Sequence, residues 1–283
     1  MKGIILIAFG KNGYLNMAHN MALSIKRFNP KLNITLFIDP EFSEPKSDLY
    51  DNIVKLKQSD IYTEGVGIDP ANIKLNLYDI LPYEHNLYLD VDGLCISDIT
   101  PTFDSIIKHG ESICMEAIGK GGKNDAIPYS VWAENDMIWN YFKLKETDIL
   151  PSVQTSWIYI KKDAEAKAFY KELNKYSKFP LTKLKKRWGG TLPDELIYSG
   201  VLAKMNKIPT FDRSVIFYGN KIDKRSFSEL SNDYNILSLY GNGKGRTMVM
   251  PKYIEWYDLL INSYGEKVYK TKTFLNDKHV NRQ

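Results

Sequence analysis

Ile4-Ile5-Leu6-Ile7-Ala8-Phe9-Gly10 is the stretch from which the fold can be read. A continuous apolar run closed by glycine is the pattern of a strand buried on both faces. Beyond a turn containing glycine and asparagine, Met17, Ala18, Met21, Ala22, Ile25 and Phe28 recur at helical spacing until Asn29-Pro30 stops them. Ile34 to Ile38 reads as a second strand, closed by Asp39-Pro40. Strand, helix and strand in succession make a βαβ unit, for which a right-handed parallel crossover is expected.

The pattern continues outward. Ile53 to Leu56, Asn86 to Leu89, Ser112 to Glu116, Val153 to Ile160 and Ile236 to Leu239 read as further strands. Asp69-Pro70 opens a helix that runs through Ile73, Leu77, Ile80 and Leu81 to Pro82. Ala164 to Tyr176, Asp194 to Met205 and Pro251 to Tyr264 carry helical periodicity. No repeat or low-complexity linker interrupts the chain. The expectation is one α/β domain over residues 1–264, with a central, mostly parallel mixed sheet flanked by helices, and a polar, basic tail over 265–283. In such sheets ligands sit beyond the carboxyl ends of the strands, and Gly10, Asp90 and the residues near Gly241 all follow predicted strands.

Composition narrows the class. With 43% hydrophobic residues in 283, the chain can bury a sizeable core, which argues against wholesale disorder. Its longest apolar run is too short to cross a bilayer, and no small-residue cleavage site follows it, so a soluble, cytoplasmic protein is expected. Cys95 and Cys114 read as free thiols rather than a disulfide scaffold or zinc site. The net charge of +4 is modest. Its local concentration at Lys183-Leu184-Lys185-Lys186-Arg187 and in the tail reads first as solvated surface, then as a dock for phosphate, anionic lipid or nucleic acid. None of the four histidines has a definite role; His19 lies inside the first helix.

The chemistry concentrates at Leu87-Tyr88-Leu89-Asp90-Val91-Asp92-Gly93. Two acids separated by one residue, at the end of a buried strand, repel unless a cation or hydrogen bonds compensate them. A divalent metal does so well, because magnesium and manganese prefer hard oxygen ligands and also take phosphate oxygens. Gly93 is expected to leave room for a bulky ligand. By itself an Asp-X-Asp is common, and its ordinary reading is a turn cap beside a solvated acid.

Context changes that reading. Lys74-Leu75-Asn76-Leu77-Tyr78-Asp79-Ile80-Leu81-Pro82, then Asn86 to Asp92, then Ile99-Thr100-Pro101-Thr102-Phe103-Asp104, resembles glycosyltransferase family 8. The resemblance implies a GT-A (Rossmann-like) fold and transfer of a hexose from a nucleotide sugar, UDP-linked, with retention of configuration. It assigns Asp90 and Asp92 to a Mn2+ or Mg2+ ion, with Asp90 also facing the donor. Ala8, Phe9 and Gly10 would form the nucleotide pocket, and Tyr14 would stack on the base; ordinary helix-start packing explains Tyr14 about as well. Lys74 stands where the family has an arginine for the phosphates, and supplies charge without a two-pronged hydrogen bond.

Val153-Gln154-Thr155-Ser156-Trp157-Ile158 matches the sugar-contacting strand in character only, with Gln154 as the candidate contact. Trp157 is a sugar platform or, more simply, core. Pro193-Asp194-Glu195-Leu196 resembles an acidic helix start in which Asp194 would meet a sugar hydroxyl; the rival reading is a pair of acids favourable to the helix dipole. In Ser238-Leu239-Tyr240-Gly241-Asn242-Gly243-Lys244 the family's glycine and lysine are kept as diphosphate contacts, Gly241 and Lys244. Ser238 replaces the histidine that would be the third metal ligand. Two other readings stand beside this one: a nucleotide-sugar-binding protein with a decayed site, and a nucleotidyltransferase, for which Gly10-Lys11-Asn12-Gly13 is a thin signature loop. The acceptor is open among carbohydrate, lipid-linked sugar, protein and nucleic acid; peripheral membrane contact and oligomeric state are open too.

Overall fold

In the computed structural model the first strand, β1 (Lys2–Ala8), leads into α1 (Asn12–Phe28), β2 (Asn33–Ile38) and β3 (Asn52–Lys55). Then come α2 (Gln58–Ile61), a small hairpin of β4 (Tyr62–Thr63) and β5 (Gly67–Ile68), α3 (Pro70–Leu75), β6 (His85–Leu89), β7 (Gly93–Cys95) and α4 (Thr100–His109). The second half contains β8 (Ile113–Gly121), α5 (Asn135–Phe142), β9 (Leu150–Lys161), α6 (Ala164–Tyr176) and α7 (Asp194–Lys204). It ends with β10 (Ile216–Tyr218), α8 (Phe227–Asp233) and β11 (Ile236–Ser238). The structure describes residues 1–63, 67–125, 132–185, 192–211, 215–218, 225–238, 258 and 262.

Six strands form a sheet in the order β3-β2-β1-β6-β9-β8, and β10-β11-β7 form a second, three-stranded sheet. The expected α/β class, with a mostly parallel sheet flanked by helices, is the observed one. The chain makes two compact units, interleaved in sequence: Lys2–Lys57 with Leu87–Lys108 and Ser214–Gln283, and Met1 with Gln58–Asn86 and His109–Arg213. They are called here the β1 unit and the β9 unit.

In the β1 unit, β1 pairs parallel with β2 from Gly3↔Asn33 to Ala8↔Ile38, and β2 pairs parallel with β3. Ile4, Ile5 and Leu6 have no exposed surface, so each removes its whole side chain from water, worth roughly 1.5–3 kcal/mol apiece. Helix α1 packs on β1, β2 and β7. Its Ser24 hydroxyl bridges to β7, accepting from the Cys95 amide at 2.9 Å and donating to Met21 O at 2.7 Å. The second sheet runs β10 parallel to β11, then β11 antiparallel to β7 with Ser238 opposite Gly93. Asn235, 2% exposed, ties the start of β11 to the turn after β7, donating to Ser97 Oγ and Asp98 O.

In the β9 unit, β8 and β9 pair antiparallel, and α7 packs on β9 with α3, α5 and α6 beside it. The expected helix from Asp69 is capped as its sequence implies, with the Asp69 carboxylate accepting from Ala71 N at 3.1 Å. It is shorter than its periodicity, however: α3 stops at Leu75, and Leu77–Ile80 continues as a 3-10 turn. Strand β8 runs further than Ser112 to Glu116, since exposed Ala117, Gly119 and Lys120 pair with β9 without any apolar alternation to mark them. The expected helix Pro251 to Tyr264 and the tail lie outside the described residues, except that Asp258 and Asn262 have helical backbone.

Contact between α5 and α7 depends on Gly200. A Cβ there would lie 2.3 Å from Phe142 Cε2, and Phe142 is wedged among Tyr141, Tyr176 and Phe179. In an open helix glycine to alanine would stabilise by about 1 kcal/mol. Here the methyl has nowhere to go, so Gly200→Ala should instead destabilise by about 1–3 kcal/mol in urea unfolding, and adding Phe142→Leu should recover part of the loss.

Candidate active site

The β1 unit brings one group of candidates together. Past Ala8 the chain turns at Gly10, whose φ of +80° suits glycine far better than any other residue. Lys11 N donates to Phe9 O at 3.0 Å and Tyr14 N to Lys11 O at 3.0 Å, carrying the turn into α1. Tyr14 is 42% exposed. Its phenol is nevertheless raised above its usual pKa, first by desolvation and then by the negative charges of Asp92 and Asp90. That effect puts Tyr14 and the acid pair in one electrostatic neighbourhood.

The pair follows directly from β6. Val91 is 5% exposed and anchors the segment, whereas Asp90 and Asp92 on either side are half-buried. Tyr88, itself buried, donates its hydroxyl to Asp90 Oδ1. The space at Gly93 is used differently from the expectation. A Cβ there would meet Ile236 Cγ2 at 3.0 Å, Leu237 O at 3.1 Å and Met21 Cε at 3.3 Å. Glycine at 93 therefore makes room for β11 and α1, and not for a ligand. The same packing sets Ser238 opposite Gly93, one residue from Asp92. Among the described residues, no group of three or more His, Cys, Asp or Glu side chains is placed to hold a metal ion.

A second group lies in the β9 unit. Lys74 Nζ is 3.3 Å from Asp194 Oδ2, each side chain 14% exposed, and it also donates to Thr155 O at 3.3 Å. Thr155 Oγ1 donates to the same Asp194 oxygen at 2.7 Å. Strand irregularity makes this possible: β8 pairs Met115 with Ile158 but its next residue, Glu116, with Gln154, so Thr155, Ser156 and Trp157 bulge from the ladder. Gln154 lies at the edge of that bulge, and its Oε1 is buried with no hydrogen-bond partner among the described residues. Trp157 is wholly buried against Phe211, which is the core reading. Tyr198 of α7 donates to Lys74 O at 2.7 Å and so fixes the backbone that carries the lysine.

Glu195, next to Asp194 at the start of α7, is pushed up to about 8 by burial and by the Asp194 charge, with Lys74 opposing. The upward shift of Glu195 depends on its tertiary surroundings and has no counterpart in the local sequence. No local pattern marks Thr155 as the partner of Asp194, Tyr88 as the partner of Asp90, or Asp39, which closes a strand, as the partner of Gly10. A signal for the place of Asp39 did exist, since it follows an apolar strand as Gly10 follows β1. Gly241 and Lys244 lie outside the described residues.

This architecture is that of the GT-A glycosyltransferases. The galactosyltransferase LgtC, solved in complex with donor and acceptor sugar analogs, is similar with a TM-score of 0.62 and 13% identity over 97% of this chain and 100% of that chain. An active-site mutant of LgtC is similar with a TM-score of 0.58 and 15% identity over the same shares, 97% and 100%. The apo bifunctional glycosyltransferase WbbM is similar with a TM-score of 0.54 and 10% identity over 93% of this chain and 51% of that chain. No protein-family model matches the sequence, and no curated protein does.

The proton on Glu195 makes a testable contribution to stability. The folded chain keeps it to about pH 8, whereas the unfolded chain releases it above the ordinary value of 4.5. Where the folded state binds more protons, stability falls as pH rises. Wild type and Glu195→Gln should therefore be similarly stable near pH ~5, with wild type becoming the weaker by pH ~9 in urea denaturation.

Proposed function

We propose that this chain is a metal-dependent glycosyltransferase that moves a hexose from a UDP-linked nucleotide sugar to a hydroxyl acceptor with retention of configuration. The observation that carries the reading is the half-buried Asp90/Asp92 pair just beyond β6, beside the β7–β11 pairing, in a fold shared with a galactosyltransferase. The donor chemistry suits Mg2+ or Mn2+. Two carboxylates supply hard oxygens, and a metal with only these protein side chains would complete its shell with diphosphate oxygens and water. When bound, such an ion acts as a Lewis acid on the diphosphate.

The chain's own residues have distinct tasks in this proposal. Tyr88 holds one oxygen of Asp90, which orients the carboxylate. Tyr14 offers an exposed ring to the base, and the Ala8-Phe9-Gly10 turn gives backbone groups close approach to base and ribose. Gly241 and Lys244 would contact the diphosphate. Asp194, fixed by Thr155 and Lys74, and Gln154 would meet sugar hydroxyls. Lys74, tied to Asp194, would add positive charge for the nucleotide phosphates. The acceptor is a carbohydrate, a lipid-linked sugar or a protein ahead of nucleic acid. Among the described residues no helix is long and apolar enough to cross a membrane. A cytoplasmic location, with peripheral membrane contact left open, and one catalytic domain over residues 1–264 belong to the same proposal.

Ser238 at the expected third-ligand position, with no third candidate among the described residues, favours one rival: a nucleotide-sugar-binding protein without turnover. A screen of UDP-sugars with Mn2+ or Mg2+, following UDP release, separates the two. Wild type should turn over at least one donor, and Asp92→Ala should lower metal-dependent release by about 100-fold or more. Full activity in Asp92→Ala would overturn the metal assignment, and nucleotide binding without any turnover would favour the rival.

A further inference from the structure

We infer that Asp39 is a positioning residue for the nucleotide-facing exit of β1, its carboxylate clamping the backbone at Gly10 in the one conformation that serves nucleotide binding. This rests on the nucleotide-sugar reading above. The clamp itself is visible in hydrogen bonds. Beyond the last register pair, Ala8↔Ile38, Asp39 N extends the ladder by donating to Ala8 O at 2.9 Å. Its side chain then reaches both loops: Oδ2 accepts from Gly10 N at 2.9 Å and Oδ1 from Glu41 N at 3.0 Å. Asp39 has no exposed surface.

A wholly buried carboxylate is an expensive way to join two strands. Even when its oxygens are satisfied, an apolar residue of similar size is often as good for stability or better. What an apolar residue cannot do is choose a backbone conformation. Glycine populates positive and negative φ with similar ease, so Gly10 would not by itself stay at +80°. An acceptor fixed at 2.9 Å from its amide holds it there. The two following turn bonds, Lys11 N to Phe9 O and Tyr14 N to Lys11 O, carry that orientation to Tyr14, the residue whose phenol feels Asp90 and Asp92. Asp39 acts on the nucleotide-facing turn through the Gly10 backbone, which makes it a positioning residue rather than a catalytic one.

Asp39→Asn keeps the shape but leaves one acceptor oxygen for two amides, and its NH2 opposes the other N–H. The variant is compared with wild type by calorimetric titration with UDP, CDP and GDP in the presence of Mn2+. Donor KM and kcat, and the urea midpoint, are measured alongside. UDP affinity should fall by about tenfold or more, preference for UDP over GDP should shrink, and kcat at saturating donor should change by less than about threefold. A purely structural role would lower the midpoint and the active fraction while leaving the affinity ratio untouched.

Gly10→Ala attacks the same conformation from the other side and serves if Asp39→Asn does not fold; it should show the same loss of nucleotide preference. In the double variant the losses should be far from additive. Wild-type affinity and preference in folded Asp39→Asn, or in Gly10→Ala, would overturn the inference. A wild-type protein that binds none of the three nucleotides would instead overturn the nucleotide-sugar reading, and this inference with it.

Discussion

Parallel pairing of β1 with β2 leaves no hairpin route between them, so the chain must cross over through α1. Most of the β1 unit follows from that one constraint. Both strands are buried along almost their whole length, so they need cover on both faces, and α1 supplies it on one. Because the strands run the same way, their carboxyl ends finish together, and the loops at Gly10 and Asp39 emerge side by side. A single carboxylate can then serve both, and the turn that leads to Tyr14 becomes a rigid part of the sheet's edge.

The acid pair depends on a second fitting. Val91 is held in the interior while its two neighbours keep contact with solvent, and Tyr88 occupies one oxygen of Asp90. Gly93 lets β11 and α1 close in directly behind the pair, so the backbone there has little freedom. Close packing behind and charge in front is a workable arrangement for a site that must hold two like charges near each other. Ser238 sits beside this fitting as part of a strand pair, where its hydroxyl offers a weaker oxygen than a histidine nitrogen would have offered a metal.

In the β9 unit the same physics is solved differently. Asp194 is paired with Lys74 and hydrogen-bonded by Thr155, whereas burial and the Asp194 charge push the pKa of Glu195 up. Two adjacent acids repel, and desolvation adds to that penalty on the charged form of the second.

Much of the fold was legible from periodicity, and the misses have physical causes. The buried runs at β1, β2, β6 and β9 and the amphipathic stripe of α6 are long enough to carry their own signal. Strands β7 and β10 have three residues each, below any useful period, whereas the equally short β11 was marked by its apolar run from Ile236. Helix α8 has only seven residues, too few for a helical stripe to stand out, and it is held by a capping box between Ser226 and Glu229. Of the candidate site, the sequence by itself determined which residue types stand at the strand ends: the acids 90 and 92, the glycine at 10, the aromatic at 14 and the serine where a histidine was expected. Local spacing and the order of elements were sufficient for that. Only the tertiary structure decided what each one does next: that Gly93 makes room for β11, that Lys74 pairs with Asp194, that burial pushes Glu195 up, and that Asp39 holds Gly10. Those outcomes depend on burial and on partners distant in sequence, and no local pattern records either.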